Sequence, residues 1–293
     1  MHFLILCILS STGIFIVFKS IDRFSLPSLP VILINYLTAT LLGLLLTSYP
    51  LQVSSLTGRE WFPLSVVIGV LFIVMFFLVA YSSRKAGISI TTVASKMSVI
   101  FPIVFSMIID TSDRLTLAKG TAILCTLTGV ALTVYQPKTR KTDWSSVYIP
   151  LLLFAGMGLV DSMVKYAQHR YVTDAEVAPF SSVLFLNAFI SGLIVVGLMP
   201  RYYRSFLKGA IWGWGMLLGA VNFGSVFFLV RALNYLQPGG SSMDSSVIFG
   251  INNVGIVTLS VLTGLLIFRE KLRAVNWVGI GLSAIALILF MLG

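Results

Sequence analysis

The chain has 293 residues, of which 57% are hydrophobic and only 10% charged, with a mean hydropathy of +0.99. Soluble domains carry about 25% charged residues, so the composition excludes a water-covered globule and points to an all-α integral membrane protein with several spans. The formal net charge of +10 comes from basic residues scattered as short pairs and triplets. No basic face interleaved with aromatics forms anywhere, which excludes nucleic acid as a partner.

A spanning helix needs about 20 apolar residues. Charge-poor runs of that order fall at 3–18, 31–48, 61–83, 88–109 and 120–135, then at 147–166, 177–199, 210–230, 245–268 and 274–293. Ten transmembrane helices are expected. Strands of a membrane barrel would alternate in hydrophobicity over about ten residues, and no such pattern occurs. The first run has no positive region before it and no small-residue cleavage site after it, so it reads as a span rather than a signal peptide. It closes on Lys19. The second run carries a lone amide, Asn35, of a kind that more often glues helices together than binds a ligand.

The fourth run is the most informative. It holds one full charge, Lys96, well inside its ends. A lysine facing lipid at that depth costs about 2.5–3.5 kcal/mol, so Lys96 is expected to face other helices or a water-filled cavity. Ser89, Thr92 and Lys96 share one helical face at steps of three and four residues. Lys96 then serves either as a charge or titratable amine on a permeation path, or as a structural lysine bonded to carbonyls and serines. Pro102 is expected to kink the helix one turn beyond Lys96, in a manner suited to gating.

The longest charged connection, centred on 137–146, divides the chain into residues 1–136 and 147–293. In the sixth run, Asp161 and Lys165 are four residues apart on one face, with the acid first. The pair is either a coupling or substrate site, or a mutual ion pair with Lys165 snorkelling to the interface. Asn187 and Asn222 are lone amides in the seventh and eighth runs. The ninth run carries a polar stripe of Ser242, Ser245 and Asn252, with Asn253 beside it. Gly215 and Gly219 form a GxxxG that marks a close helix contact inside the fold or a homodimer face.

Several pairs repeat in the same order. Phe76-Phe77-Leu78-Val79 matches Phe227-Phe228-Leu229-Val230, Asp113-Arg114-Leu115 matches Glu270-Lys271-Leu272, and Lys19 matches Lys165. Two repeats of five helices must be inverted, because five is odd. An inverted repeat lets one midplane site open to either side in turn. On this pairing, Lys96 mirrors either Asn253 or the Ser246-Val247 position. Odd-numbered connections hold most of the basic residues, among them Lys19, Arg23, Arg84, Lys85, Lys138, Arg140 and Lys141. The charge rule therefore predicts both termini outside.

Enzymatic and metal chemistry have no sequence support. Cys7 and Cys125 sit inside apolar runs, His2 and His169 are not spaced as ligands, and no HExxH, GxSxG or phosphate loop occurs. No cofactor is expected.

Ala232-Leu233-Asn234-Tyr235 precedes a Gly239-Gly240 break. The ninth run closes on Phe268-Arg269-Glu270-Lys271-Leu272, and a glycine-rich tenth run, Trp277-Val278-Gly279-Ile280-Gly281, follows. With ten spans and Lys19 at the end of the first, the chain resembles the drug/metabolite transporter superfamily, EamA type. The resemblance implies a central cavity lined by the first four helices of each repeat, and both termini in the cytoplasm of a cell (inner) membrane protein.

The expected function is secondary transport of a small polar metabolite by alternating access. Lys96, Lys165 and Lys19 would tilt the cavity toward anionic or zwitterionic substrates. Asp161 and Asn252 would be further contacts, and membrane lipid the surrounding partner. A lipid-phosphate flippase is a second expectation, and a non-transporting membrane scaffold or enzyme subunit a third from another class.

Overall fold

The computed structural model describes residues 2–46, 58–101, 104, 116–135, 145–172, 177–233 and 245–292. Every regular element among them is helical. The first half contributes α1 (His2–Arg23), α2 (Ser28–Leu45), α3 (Phe62–Ala86), α4 (Ile88–Met97) and α5 (Leu117–Val134). The second contributes α6 (Ser145–Tyr171), α7 (Val177–Gly197), a 3-10 segment (Pro200–Leu207), α8 (Gly209–Leu233), α9 (Ser245–Leu266) and α10 (Ala274–Leu292). Seven described helices are long and apolar enough to cross a membrane: α1, α2, α3, α5 and stretches of α6, α7 and α8. The all-helical, membrane-compatible architecture read from composition is therefore the one observed.

The helices end where backbone chemistry stops them. α1 closes in a Schellman turn, with Leu26 N–H on the Ile21 carbonyl, Ser25 N–H on that of Asp22, and Ser25 left-handed at φ 53°. Pro27 follows and blocks continuation. α5 ends under α10: the Asn276 side-chain amide donates to the carbonyls of Leu132, Thr133 and Tyr135. Those are orphan acceptors of a helix C-terminus. Most of the central charged linker, residues 136–144, lies outside the described residues.

Packing is dense between non-sequential helices. α1 packs on α8 and α9, α2 on α7 and α8, α3 on α6 and α7, and α4 on α6 and α9, while α5 and α10 pair along their lengths. The largest apolar core is centred on α1, α2 and α3, with Phe18, Ile21, Ile32 and Tyr36 fully buried. Small residues set the closest crossings. A Cβ at Gly215 would meet Ile34, and one at Gly219 would meet Thr38 and the Asn35 carbonyl. The GxxxG of α8 is thus spent on α2, inside one chain.

One crossing is two-fold in its detail. Gly129 of α5 lies against Gly279 and Ser283 of α10, and Gly279 lies against Gly129 and Thr133. Thr133 Oγ1 bonds the Gly129 carbonyl at 2.7 Å, and Ser283 Oγ bonds the Gly279 carbonyl at 2.9 Å. Each helix offers a glycine and, four residues on, a hydroxyl folded back on that glycine's carbonyl. No lone hydroxyl is left to desolvate.

The fourth run differs from the expected single span. α4 stops at Met97, the chain turns at Ser98-Val99, and helix resumes at Ile100. Across the turn, Val99 and Phe101 donate to Lys96 and Ser98 three residues back rather than four. Pro102, the expected kink, lies outside the described residues. The interruption seen among the described residues falls at Ser98-Val99, just after Met97.

Candidate functional site

α3 gives way to α4 at Gly87, whose φ of 93° is open to glycine at little cost. The elbow is pinned by a 2.8 Å bond between Ser82 and Thr91. From Ile88 to Ser98 every residue is buried except Lys96, which is partly accessible. Lys96 is thus the least enclosed side chain of an otherwise closed stretch.

Asp161 of α6 is partly accessible as well, and the two charges interact electrostatically. Ser98, at the break, ties them to one element. Its Oγ lies 2.6 Å from the Ser95 carbonyl and 3.0 Å from Asp161 Oδ2. A hydroxyl has one proton, so Ser98 serves the helix or the carboxylate, not both at full strength. On α1, the Cys7 thiol donates to the Ser225 carbonyl at 3.2 Å and also feels Lys96.

The mutually packed α1, α4 and α9 carry buried oxygens with no partner among the described residues: Thr12 Oγ1 on α1, Thr92 Oγ1 on α4, and Asn252 Oδ1 and Ser260 Oγ on α9. Each unsatisfied polar atom costs about 1–3 kcal/mol. Native structures hold few of them, and each calls for an explanation. A polar ligand that met some of them would recover that cost.

The remaining expected site residues distribute as follows. Asn252 and Asn253 are both buried in α9, which packs on α4. Asn35 and Asn222 face each other at 3.1 Å between α2 and α8, and Asn187 donates to Ser65 Oγ at 3.0 Å between α7 and α3. These three amides join helices, as lone amides in spans more often do, and none of these bonds involves Lys96 or Asp161. Lys165 lies on α6 and Ser245 opens α9, but their side chains fall outside what is described. Ser242 lies outside the described residues.

Lys19 and Ser89 belong to a different constellation, centred on Glu270. The Glu270 carboxylate accepts from Ile88 N–H at 2.6 Å, Ser89 N–H at 3.2 Å and Ser89 Oγ at 2.9 Å. Lys19 Nζ stands 3.7 Å from the same carboxylate and donates to the Ser83 carbonyl at 3.0 Å. Gly87 cannot cap α4 with a side chain, so a carboxylate from beyond α9 does so, at the positive end of the helix. Glu270 is held by its own backbone N–H on the Gly264 carbonyl, 2.8 Å, with Arg269 left-handed at φ 53°. Lys19 is therefore a structural ion-pair partner.

Sequence reasoning missed Glu270 and Ser98 as site residues. Glu270 entered as a repeat marker and as part of the motif that closes the ninth run, not as a cap, although a glycine elbow with no capping side chain signals that a cap must come from elsewhere. Ser98 was visible as a hydroxyl two residues past Lys96.

Comparisons with known proteins extend over the whole chain. No family model matches. An uncharacterized protein of Haemophilus influenzae is 25% identical over 304 aligned positions, covering 97% of this chain and 96% of that one. A solved crystal structure superposes with a TM-score of 0.56 at 14% identity, covering 97% of both chains. That likeness shows the fold.

Proposed function

We propose that this protein is a secondary transporter that moves a small polar metabolite across the membrane by alternating access between two inverted five-helix halves. The observation that carries the reading is the Lys96–Asp161 pair. Two opposite charges on packed helices lie within electrostatic reach of each other, and Ser98, at the interruption just after Lys96, bonds the Asp161 carboxylate at 3.0 Å. Interrupted helices at the substrate site are a recurring device of secondary transporters. Ionisable residues inside a membrane are functional by default.

The packing supports the repeat. Exchanging α1–α5 with α6–α10 turns α1·α8 into α6·α3, α2·α8 into α7·α3, and α1·α9 into α6·α4, and all of these pairs occur. α2·α7, α4·α9 and α5·α10 map onto themselves. Residue pairs follow the same exchange: Gly69 against Asn187 corresponds to Gly219 against Asn35, and Gly129–Ser283 to Gly279–Thr133. These offsets run from 150 to 152, close to the 151 of the Phe76 and Phe227 runs. The resemblance to EamA-type drug/metabolite transporters agrees with this plan and with a cell (inner) membrane location.

Charge balance narrows the substrate class. Lys19 is committed to Glu270, and Asp161 lies within electrostatic reach of Lys96. A zwitterion, with its acid toward Lys96 and its amine toward Asp161, fits this balance better than a simple anion. The test is a metabolite-library thermal-shift screen on purified protein, run beside Lys96→Ala. A compound that stabilises only the unsubstituted chain supports the proposal. Equal stabilisation of both proteins removes Lys96 from the site.

A further inference from the structure

At the end of α1 and the end of α9 lies a cavity of about 560 Å³. It belongs to the size range of small-ligand sites, about 300–1,000 Å³. Lys19, Asp22 and Arg23 line it from α1, and Leu266, Ile267 and Arg269 from the α9 terminus. Its charges are unevenly spoken for. Asp22 faces Arg84 at 3.8 Å and Lys19 faces Glu270. Arg23 and Arg269 have no ion-pair partner among the described residues. Beside them, Leu266 and Ile267 are 77% and 60% exposed, an apolar ledge where a hydrophobic helix ends.

We infer that this cavity binds the phosphate headgroup of an anionic phospholipid. Guanidinium groups match phosphate oxygens in bidentate fashion. Two that lack a carboxylate partner, set where an apolar helix meets water, are placed at headgroup depth. The exposed Leu266 and Ile267 give the acyl chains a surface to lie on, which a free phosphate would not use. That ledge is why a lipid is favoured over a soluble anion. Arg269 is presented by a left-handed residue, the same turn that orients Glu270, so the lipid site and the cap of α4 share one short segment.

The test uses the full chain in detergent, titrated with phosphatidylglycerol, phosphatidylcholine or inorganic phosphate and followed by thermal unfolding. Phosphatidylglycerol is expected to raise the unfolding temperature saturably, with little effect from the other two. Surface basic residues each strengthen anionic-lipid binding by roughly fivefold. Arg23→Gln with Arg269→Gln should therefore shift the titration midpoint roughly 25-fold, and each single variant roughly fivefold. The unfolding temperature in phosphatidylcholine should stay unchanged. If the double variant does not fold, the single variants decide. Equal responses to the two lipids, or variants that titrate like the parent, overturn the proposal. An equal response to inorganic phosphate overturns the lipid and leaves a soluble anion as the occupant.

Discussion

The carboxylate of Glu270 accepts a 2.6 Å hydrogen bond from the backbone N–H of Ile88, 182 residues earlier in the chain. One side chain thus starts a helix in the other half of the molecule. It gathers the ends of α1, α3 and α9 at the same point, through Lys19, Ser83 and Gly264.

Removing this cap should be costly. Glu270→Ala loses three hydrogen bonds to a charged acceptor and leaves the first N–H groups of α4 without partners, a loss of about 3 kcal/mol. Lys19→Met should cost less, about 1 kcal/mol. Its ion pair is long at 3.7 Å, its side chain is 21% exposed, and solvent screens it. Thermal unfolding of the two single variants and the double variant checks the coupling. The double variant should fall short of the summed losses, because both act on one contact.

The glycines around the cap make a sharper test. A Cβ at Gly87 would come within 2.6 Å of Glu270 Oε1, and one at Gly264 within 2.6 Å of Glu270 Oε2 and of Ser89 Oγ. Alanine at either position should destabilise by about 1–3 kcal/mol. The two should part company in a Glu270→Ala background. There the penalty at Gly264 shrinks, since the carboxylate it crowds is gone. The penalty at Gly87 largely persists, because its φ of 93° disfavours any Cβ. Equal relief at both positions would rule out backbone strain at the elbow.

What could be read in one dimension was what changes hydropathy or charge locally. Lys96 stands out because it interrupts an apolar run, and Asp161 stands out for the same reason, so both were legible as site candidates. The element joining them was not. Ser98 is an ordinary serine until the break in α4 and the packing of α6 against it bring it to Asp161. Lys19 was legible as a charge but misplaced, because its partner is a glutamate 251 positions away. The amides Asn35, Asn187 and Asn222 look alike in sequence, and only helix neighbours reveal that they pair across α2–α8 and α7–α3. Fold class was readable since apolar length alone decides it. Long-range pairing is invisible to composition.

The α5–α10 crossing should tolerate nothing larger than glycine. Gly129→Val or Gly279→Val would drive a branched side chain into Ser283 or Thr133 and the backbone beneath. Each should lower stability by about 1–3 kcal/mol or more, as overpacking does. Because the two glycines occupy equivalent places on either side of one crossing, the losses should be similar in size. A crossing shared by both substitutions also predicts non-additivity, measured by unfolding of the double variant.

The Lys96–Asp161 pair separates folding from binding. Removing one of two interacting charges leaves the other uncompensated, which costs about 3–5 kcal/mol for a fully buried pair and less for these partly accessible side chains, whereas replacing both partners with apolar residues is often close to neutral. Lys96→Met and Asp161→Leu should therefore each destabilise, and the double variant should recover much of the loss. If the pair were only structural, that recovered protein would keep every ligand response of the parent. A substrate pair predicts the opposite: a double variant near parental stability that no metabolite stabilises and that no longer transports in proteoliposomes. Ser98→Ala adds a graded control. It removes one hydrogen bond to Asp161 while leaving both charges in place, so it should cost about 1 kcal/mol of stability and weaken ligand response without abolishing it.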